Sequence, residues 1–417
     1  MDKVIKETTW LVISPSVYVD IINNKEILLY DTNTGKHLVS ESVEFVRTIR
    51  DLYFAPNMGS LPLQQVTCVN NDNFKEALAK NMLLLKVTRG GEKPINLLPI
   101  LNLQTDLDCN NEEKEKVLLT MGNKLRFLSG INVYLNDKKM DKLSPSTYHY
   151  RNRIHRQYSL PLYSSTEHKL SPIVLDNVLD QLKASSVSIV NIIYSPENLE
   201  QKYVNDIHYI LGKYKYGYIF HCYYDDFSAL CKGLANSSFR ERCTVNLYID
   251  KFSIHESFEE ESLQLKKLGI KVLINLFVDG DNSNIDHVGI SRILPVWIGD
   301  NSDWFNHNVM MTLQDIDTTK LSYDDLFRNE KLNSSCFGIL EILSDGHIYA
   351  LNAKKQLGTT STYLSEIVEK ELRENTSWRI TRKVYDGCRN CRYRILCPPV
   401  SSYEMLYKTT PKCLIKK

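Results

Sequence analysis

Four of the ten cysteines in this 417-residue chain lie in its last thirty residues. Cys388, Cys391 and Cys397 follow a C-x2-C-x5-C pattern, and Cys413 comes later. A tight turn across the first pair aims both side chains the same way, so that their sulfur atoms can share one centre. Four thiolates can bind a [4Fe–4S] or [2Fe–2S] cluster, or one tetrahedral Zn²⁺ ion. The spacing therefore predicts an inorganic centre ligated by these four cysteines.

The residues around these cysteines suit an inorganic centre better than four unrelated thiols. Unligated cysteines prefer buried, apolar surroundings, whereas Arg389, Arg392 and Arg394 lie between the predicted ligands. Their charge would favour thiolates and partly offset the negative charge of the centre. Pro398 and Pro399 would stiffen the loop by fixing φ. The spacing itself leaves both a cluster and zinc open.

The overall composition is that of a globular protein with almost no net charge. The chain has 51 Lys and Arg against 50 Asp and Glu, which gives a net charge of +1. This balance gives no case for a nucleic-acid or anionic-membrane partner. The N-terminus lacks the apolar core of a signal peptide, and no window has the roughly 18–20 apolar residues of a membrane helix. We therefore expect a cytoplasmic protein, in which clustered cysteines bind metals more often than they form disulfides.

Hydrophobic patterning divides the chain into three predicted domains, of which the first covers residues 1–90. Three short β-prone runs, VYVDII, EILLYD and KHLV, are separated by turn-forming residues and predict a β-meander. The next segment, SVEFVRTIRDLY, has the apolar spacing of a helix that begins behind Ser42. A second helix, in NFKEALAKNMLLLKV, runs into a strand. A short open sheet beside a helix could accept a leader peptide as an additional strand, while a purely structural subdomain explains the same residues.

The second predicted domain, residues 91–330, alternates strands with amphipathic helices. Its candidate strands are six segments that are apolar almost throughout: INVYLN, VSIVNIIYS, YGYIFHCYY, CTVNLYID, KVLINLFVDG and ISRILPVWIG. Strands of this kind are buried on both faces. Their alternation with helices predicts a parallel α/β sheet, either open and doubly wound or a partial barrel. The third domain, residues 331–417, begins with a β-hairpin that turns at Asp345-Gly346 and continues through a helix to the cysteines.

This third domain resembles a SPASM domain, the auxiliary-cluster domain of peptide-modifying radical SAM enzymes. The residues on which the resemblance depends are the DGHIYA hairpin, LG at 357–358, and the C-x2-C-x5-C pattern with a later cysteine. The resemblance implies that Cys388, Cys391, Cys397 and Cys413 bind one auxiliary [4Fe–4S] cluster. The family's other auxiliary cluster needs further cysteines near the hairpin, where the chain has Cys336 alone. We therefore expect that second cluster to be absent.

The residues that a radical SAM enzyme needs for its own chemistry are missing from this sequence. After INVYLN, where the family has C-x3-C-x2-C, the chain reads STYHYRNRIHRQYSLPLYSS and contains no cysteine. At the end of the second strand, where the family has a glycine-rich GGE turn, the chain has Tyr194, Ser195 and Pro196 and keeps only Glu197. Two independent parts of the S-adenosylmethionine site are lost together. The resemblance therefore predicts a protein that does not cleave S-adenosylmethionine.

From about residue 10 to residue 415, the chain is similar to the pseudo-radical-SAM proteins of GG-Bacteroidales peptide systems. KPINLLPILNLQTDLD at 93–108 and CPPVSSYEM at 397–405 add to this likeness. The resemblance implies a degenerate partial (β/α)6 barrel between two smaller domains. It also implies a pseudoenzyme that binds a precursor peptide or a genuine radical SAM maturase during the making of a ribosomally synthesised, modified peptide. Two alternatives stay open: a redox accessory protein that passes electrons through its cluster, and a zinc-stabilised α/β binding protein outside peptide maturation.

Two further segments contain residues that could bind a ligand or a metal. The segment STYHYRNRIHRQY concentrates Tyr148, His149, Tyr150, Arg151, Arg153, His155 and Arg156. Interleaved arginine and aromatic residues could bind a peptide carboxylate or a phosphate, although a solvated basic face is the commoner outcome. In FHCYYDD, His221 and Cys222 would point to opposite faces of a strand, which favours core packing over a metal site. No P-loop, nucleophile elbow or G-x-G-x-x-G pattern occurs in the sequence.

Overall fold

The N-terminal part of the chain forms two small antiparallel sheets and two helices. The computed structural model describes residues 7–22, 25–94, 96, 122–139, 143–196, 199–251, 266–267, 269–280, 289–406 and 413–415. The elements here are β1 (Glu7–Ile13), β2 (Val17–Ile22), β3 (Glu26–Asp31), β4 (His37–Ser40), α1 (Val43–Tyr53), β5 (Ser60–Pro62), α2 (Asp72–Ala79) and β6 (Leu83–Arg89). Strands β2, β3 and β4 pair as the predicted meander. The sequence analysis misses β1, which lies between β5 and β6 in a separate sheet.

Helix α1 begins where the sequence predicts. The Ser42 side chain accepts a hydrogen bond from the Phe45 backbone N–H (3.4 Å), which satisfies one of the donors left unpaired at a helix start. Phe45, Ile49 and Leu52 are fully buried in a core shared with β1 and β6. Val43, which the spacing assigns to the same apolar face, is 76 % exposed because the buried face is centred on the other three residues.

A mostly parallel sheet forms the centre of the fold. The six predicted strands run parallel and lie side by side in chain order. The predicted α/β class, with a largely parallel sheet, is confirmed. The elements of this part are β7 (Gly130–Tyr134), β8 (Lys138–Lys139), α3 (Pro145–Gln157), β9 (Tyr163–Ser164), α4 (Pro172–Gln181), β10 (Ile189–Ile193), α5 (Gln201–Lys213), β11 (Gly217–Tyr223), α6 (Phe227–Ala235), β12 (Cys243–Ile249), β13 (Lys271–Val278) and β14 (Arg292–Pro295). The predicted amphipathic segment SFEEESLQLKKLG lies largely outside the described residues.

The two faces of the central sheet differ in chemistry. Outward-facing residues such as Val190, Phe220 and Leu247 pack against α4, α5 and α6 in the main hydrophobic core. Because side chains alternate along a strand, every second residue faces the other way. We call that side the inner face; it is formed by Asn132, Tyr134, Asn191, His221, Tyr223, Asn246, Tyr248, Asn275 and Phe277. The strands are covered on both faces as predicted, but the inner face is polar and aromatic rather than aliphatic.

The predicted C-terminal hairpin forms and extends the central sheet. The elements that follow β14 are α7 (Ser302–Asn308), α8 (Leu313–Thr318), α9 (Tyr323–Lys331), β15 (Ile339–Ile342), β16 (His347–Ala350), β17 (Gly358–Thr359), α10 (Leu364–Glu374) and α11 (Ser402–Leu406). The hairpin β15–β16 turns at Gly346, whose φ of +86° is a conformation that favours glycine. Strand β15 also pairs in parallel with β7, so the described part of the sheet has the order β14-β13-β12-β11-β10-β7-β15-β16-β17.

The N-terminal meander packs directly on the C-terminal cysteine segment. Tyr18 and Leu28 of the meander share a hydrophobic core with Ile395, which lies between two of the predicted ligands. Arg394 forms two hydrogen bonds of 2.9 Å to the buried carboxylate of Asp20. The first and last parts of the chain are therefore in contact, although more than three hundred residues separate them.

Candidate functional site

All four predicted ligands line one cavity of about 440 Å³. We call it the cysteine cavity; its sulfur donors are Cys388, Cys391, Cys397 and Cys413. The Cys391 backbone N–H donates to the Cys388 carbonyl oxygen (2.8 Å), which closes the tight turn that the C-x2-C pair predicts. Cys397 is buried, and the other three are half-buried. The fold thus brings Cys413 back to the same cavity as the three cysteines that precede it.

One arginine outside the cysteine pattern contacts this cavity. The Arg382 guanidinium donates to the Cys388 sulfur (3.1 Å) and to both carboxylate oxygens of Glu404 (2.9 and 3.1 Å). It also donates to the carbonyl oxygens of Pro398 (2.5 Å) and Pro399 (3.3 Å). Its side chain is 13 % exposed, so these bonds are largely shielded from water. Arg382 therefore links Cys388 to the backbone that follows Cys397.

The three arginines between the cysteines are each paired with a carboxylate. Arg394 lines the cavity but binds the meander through its guanidinium, as described above. Arg392 binds Glu26 of β3 (2.9 Å), and Arg389 is exposed and lies 3.4 Å from Asp386. The meander supplies the carboxylates that pair with Arg392 and Arg394, whereas the partner of Arg389 belongs to its own segment. Sequence analysis misses Arg382 because its partners come together only in the folded chain.

The electrostatics of the cavity favour a neutral thiol at Cys397 until a cation binds. Burial raises the pKa of the Cys397 thiol to about 12; the other three cysteines raise it, and Arg382 lowers it. A metal or cluster ligand must be a thiolate. Loading of an inorganic centre at this position would therefore release a proton, and the positive charge of the centre would replace it.

The chemistry of the donor set fits the auxiliary cluster that the resemblance implies. Four cysteine sulfurs are the ligand set of a [4Fe–4S] cluster, and the cavity is larger than a single ion requires. Among the described residues, which include all four of these cysteines, no group of three or more His, Cys, Asp or Glu side chains is arranged to hold one metal ion; the four sulfurs share a cavity without a preformed metal-binding geometry. The four cysteines of the cavity would hold the cluster, which would supply one-electron transfer or a covalent link between distant parts of the tail.

Cys336 does not belong to this site. It is fully buried in the main hydrophobic core, and its sulfur accepts a hydrogen bond from the Asn352 side-chain amide (3.3 Å). Burial raises its pKa to about 11. Cys109, another of the scattered cysteines, lies outside the described residues. The expected absence of a second auxiliary cluster stays a prediction.

Helix α3 covers the carboxyl ends of the parallel strands on the inner face. Its residues Tyr150 and Ile154 pack with Tyr223, Tyr248 and Phe277, which end or nearly end three neighbouring strands. Active sites of α/β barrels lie at the carboxyl ends of the strands. This helix contains the residues STYHYRNRIHRQ, part of the segment to which the resemblance assigns the position of the missing cysteine triplet. Side chains of α3 therefore cover this end of the strands.

Both ends of α3 are anchored. The Ser144 side chain accepts a hydrogen bond from the Thr147 backbone N–H (3.2 Å), and Pro145 occupies the first helical position, where its fixed φ suits a helix start. At the other end, the Gln157 side chain binds the backbone of Trp297 through both its amide nitrogen (2.9 Å) and its oxygen (2.8 Å). These contacts hold the helix against the strand ends.

Arg151 of α3 is buried and paired within the protein. Its guanidinium donates to Asp250 (2.7 Å), Asp225 (2.5 Å) and the Tyr163 hydroxyl (3.0 Å), and lies 4.4 Å from the centre of the Tyr223 ring. Burial alone would lower the pKa of Arg151, but Tyr163 and the two carboxylates raise it above its ordinary value. The prediction of a clamp for a peptide carboxylate or phosphate is wrong for this residue, because its donors already bind the chain's own carboxylates.

The exposed residues of α3 match the prediction of a solvated basic face. His149, Arg153 and Arg156 are exposed, as a solvated basic face predicts. His155 is different: its Nδ1 lies 2.8 Å from the Leu160 carbonyl oxygen, and burial lowers its pKa to about 4. The basic segment therefore divides into a solvated face and a face that packs on the sheet.

The turn after β10 is held by the chain's own side chains. The Asn136 side chain exchanges two hydrogen bonds with the backbone of Ser195 (3.1 and 2.9 Å). The Ser195 hydroxyl donates to Asp226 (2.8 Å), which also accepts from Lys138 (3.0 Å). Ser195 and Asp226 are fully buried. The turn that the resemblance assigns to S-adenosylmethionine is thus internally satisfied; Glu197, the remaining residue of that motif, lies outside the described residues.

The FHCYYDD segment packs as predicted. Cys222 lies in the main core, whereas His221 faces the inner side, where its Nδ1 lies 2.8 Å from the Tyr248 hydroxyl and its Nε2 lies 3.0 Å from the Asn191 oxygen. Burial lowers the pKa of His221 to about 4, so the ring is neutral at pH 7. The Asn191 amide in turn donates to the Asn132 oxygen (3.0 Å). A line of hydrogen bonds therefore crosses four strands of the inner face.

Comparison with known proteins does not assign this chain to a family. No protein-family model matches it, and no curated protein matches it at a significant level. The likeness to pseudo-radical-SAM proteins therefore stays a prediction. Among the helices of the described residues, none has both the length and the apolar character to cross a bilayer.

Proposed function

We propose that this protein is a catalytically silent relative of radical SAM peptide maturases. It holds one [4Fe–4S] cluster in its C-terminal domain and binds a precursor peptide or the active maturase. The single observation that supports this most is the cysteine cavity. Four cysteines in a SPASM-type pattern, spread from residue 388 to residue 413, line one cavity, whereas unrelated thiols would have no reason to converge.

The strand order supports the same proposal at the level of the fold. Six parallel strands follow one another in chain order, and α4, α5 and α6 pack on their outer face. Crossover connections between parallel strands are almost always right-handed, so a consecutive order places the helices on one side and leaves the other side as a concave inner face. A partial (β/α)6 barrel has this arrangement.

The inner face favours binding over catalysis. Helix α3 packs where a radical SAM enzyme has its cluster-binding loop, and Arg151 is committed to Asp225 and Asp250. The turn after β10 is closed by Asn136 and Asp226. These contacts leave the region organised around the chain's own residues, which is why we assign the protein an accessory role.

The edge strand β6 offers a place for an extended peptide. It pairs with β1 on one side, and among the described residues no strand pairs with its other side. Leu85 and Val87 of this strand are 49 % and 61 % exposed. An extended segment can add to such an edge through main-chain hydrogen bonds while apolar side chains contact it. We therefore place the precursor peptide on β6.

Metal analysis tests the cluster. After anaerobic purification, the protein should contain four irons and four sulfides per chain and no stoichiometric zinc. Cys391→Ser should lose most of this iron because it removes one ligand of the cavity. Cys68→Ser is the matched control, since Cys68 is buried in the N-terminal core and does not line the cavity. Its sulfur donates to the Thr48 hydroxyl (3.2 Å). One zinc with no sulfide would overturn the cluster.

Peptide binding tests the accessory role. Fluorescence anisotropy with the labelled precursor peptide encoded beside this chain should give saturable binding, and Leu85→Lys should weaken it at least about tenfold because it places a charge on the contact surface. Val43→Lys is the control, because Val43 is exposed on α1 and away from β6. Equal losses of peptide affinity in the two variants would exclude β6 as the binding site. Cleavage of S-adenosylmethionine by this protein alone would contradict the proposal as a whole.

Electron transfer to the maturase is a second candidate function. Cys388, Cys391 and Cys413 are half-buried, so a cluster in the cavity would have an edge close to the surface. Solvent exposure and hydrogen bonds to the sulfurs tune the potential of such clusters. A reversible reduction of the loaded protein, followed by oxidation when the maturase is added, would favour this role over a purely structural one.

A further inference from the structure

A second cavity, of about 500 Å³, lies between α3, the β15–β16 hairpin and the start of α11. We call it the hairpin cavity. Its volume is within the range of small-molecule sites. Its lining includes one carboxylate, Glu341, and three tyrosines, Tyr134, Tyr158 and Tyr349. His155 and Arg156 of the basic segment also line the hairpin cavity.

Glu341 projects from β15 on the inner side of the sheet. Its carboxylate accepts hydrogen bonds from the Tyr134 hydroxyl (3.2 Å) and the Ser159 hydroxyl (3.0 Å). Burial is the largest influence on its pKa and raises it, while these hydrogen bonds lower it. In the described part of the chain, no lysine or arginine forms an ion pair with it. A half-buried carboxylate that faces a cavity without a positive partner is costly in an otherwise folded protein.

Three tyrosines line the same cavity as this carboxylate. Tyr349 lies directly opposite Glu341 in the β15–β16 pairing, and neighbours of this kind have their Cβ atoms about 4.5–5.5 Å apart. Tyr134 binds Glu341 directly, and Tyr158 is fixed by a hydrogen bond from its hydroxyl to the Pro295 carbonyl oxygen (2.7 Å). Aromatic faces attract cations. A cavity lined by a carboxylate and by tyrosine rings can therefore recognise an ammonium or guanidinium group.

The other charged groups of the lining do not oppose a bound cation strongly. His155 has a pKa of about 4 and is neutral at pH 7. Arg156 is exposed, so its charge is screened by water. Among the described residues that line the cavity, Glu341 is the only acid. The strongest electrostatic attraction that the hairpin cavity offers is therefore for a positive group beside Glu341.

We propose that the hairpin cavity binds a ligand with a protonated amine or guanidinium group, which pairs with Glu341 and packs against Tyr134, Tyr158 and Tyr349. The cavity volume admits a small free amine or a lysine or arginine side chain of a polypeptide. This inference does not depend on the proposed function, because the cavity lies outside the set of four cysteines and away from β6.

Isothermal titration at pH 7 tests the site with defined probes. We expect n-pentylamine and agmatine to bind, and n-pentanol, which matches pentylamine in size but has no charge, to bind at least about tenfold more weakly, since charge-assisted hydrogen bonds are the stronger kind. Nα-acetyl-lysine methylamide separates the two sources of the group. If this lysine derivative binds as well as pentylamine, the cavity accepts a polypeptide side chain. If pentylamine and agmatine bind but the lysine derivative does not, the ligand is a small molecule.

Glu341→Gln keeps the size and hydrogen-bonding capacity of the side chain while removing its charge. We expect this variant to lose at least about tenfold in amine affinity, with an unchanged circular dichroism spectrum. Glu369→Gln is the matched control, because Glu369 pairs with Lys124 outside the cavity. The proposal is overturned if the wild-type protein binds no amine at millimolar concentration, if pentanol binds as tightly as pentylamine, or if Glu341→Gln binds amines like the wild-type protein.

Discussion

Replacement of Arg151 by methionine should destabilise the protein more than the loss of any surface ion pair. The Arg151 side chain is 1 % exposed, and its partner Asp250 is fully buried. Methionine has a similar length and no charge, so the variant keeps most of the packing of α3. It leaves the Asp250 carboxylate buried without the guanidinium that now neutralises it.

The magnitude follows from the burial of the partner. Breaking a buried ion pair by removing one member costs about 3–5 kcal/mol, because the remaining charge is uncompensated. The second partner, Asp225, is 32 % exposed and can be solvated instead. Loss of the contact with the Tyr223 ring adds about 0.5–2 kcal/mol. We therefore expect the free energy of unfolding to fall by at least about 3 kcal/mol.

Urea unfolding followed by far-UV circular dichroism measures this change. The matched control is Lys213→Met, which breaks the pair with Asp176, where both side chains are at least one-third exposed; such surface pairs contribute about 0–1 kcal/mol. The double variant Arg151→Met with Asp250→Leu should recover much of the loss, since both buried charges are then removed. Hydrogen exchange of the α3 amides should be faster in the single variant than in the double one.

Two results would refute this reasoning. If Arg151→Met unfolds within about 1 kcal/mol of the wild-type protein, the guanidinium is not needed to neutralise Asp250. If the double variant is less stable than the single one, the packing of these side chains matters more than their charge.

Two further predictions concern backbone conformation and pH. Gly338→Ala should lower the free energy of unfolding by at least about 2 kcal/mol more than Gly90→Ala does. Both glycines have a φ of +77°, but a Cβ at Gly338 would lie 2.5 Å from the Phe127 carbonyl oxygen, whereas a Cβ at Gly90 would have nothing within 4 Å. Equal melting temperatures of the two variants would contradict this prediction. In the folded protein, the pKa of His155 and of His221 is about 4, below the ordinary value of 6.5. The stability that depends on the neutral rings is therefore complete above about pH 6.5 and is lost as the pH falls through about 4. The loss is up to about 3 kcal/mol for each histidine. His155→Gln should flatten the pH dependence of the free energy of unfolding in this window, and an unchanged slope would show that His155 is not the group that titrates.

The grouping of the cysteines around one cavity was largely predictable because three of them are close in the sequence. A C-x2-C pair closes its own turn, and the hydrogen bond from the Cys391 N–H to the Cys388 carbonyl is a local contact. Arg382 was not predictable. Its partner Glu404 is on a different element, and nothing in the residues around Arg382 distinguishes it from the arginines that pair with the meander.

The hairpin cavity shows the same division more strongly. The sequence predicts the hairpin, with its turn at Asp345-Gly346, but the pairing of Glu341 with Tyr349 is seen only in the structure. The sequence does not predict that β15 also pairs with β7, which brings Tyr134 to Glu341. A carboxylate in an alternating strand is ordinary until a second strand and a helix close a cavity around it.

The sequence alone determined the local features of this protein: the meander, the six parallel strands, the capped start of α1 and the turn between two cysteines. These follow from side-chain spacing, capping and turn residues, whose effects extend over a few neighbours. The tertiary structure decided which distant side chains meet, as Arg151 meets Asp250 and Arg394 meets Asp20. Such pairs depend on the positions of whole elements, and many acidic residues in the sequence are equivalent candidates until the sheet and its helices bring one of them within reach.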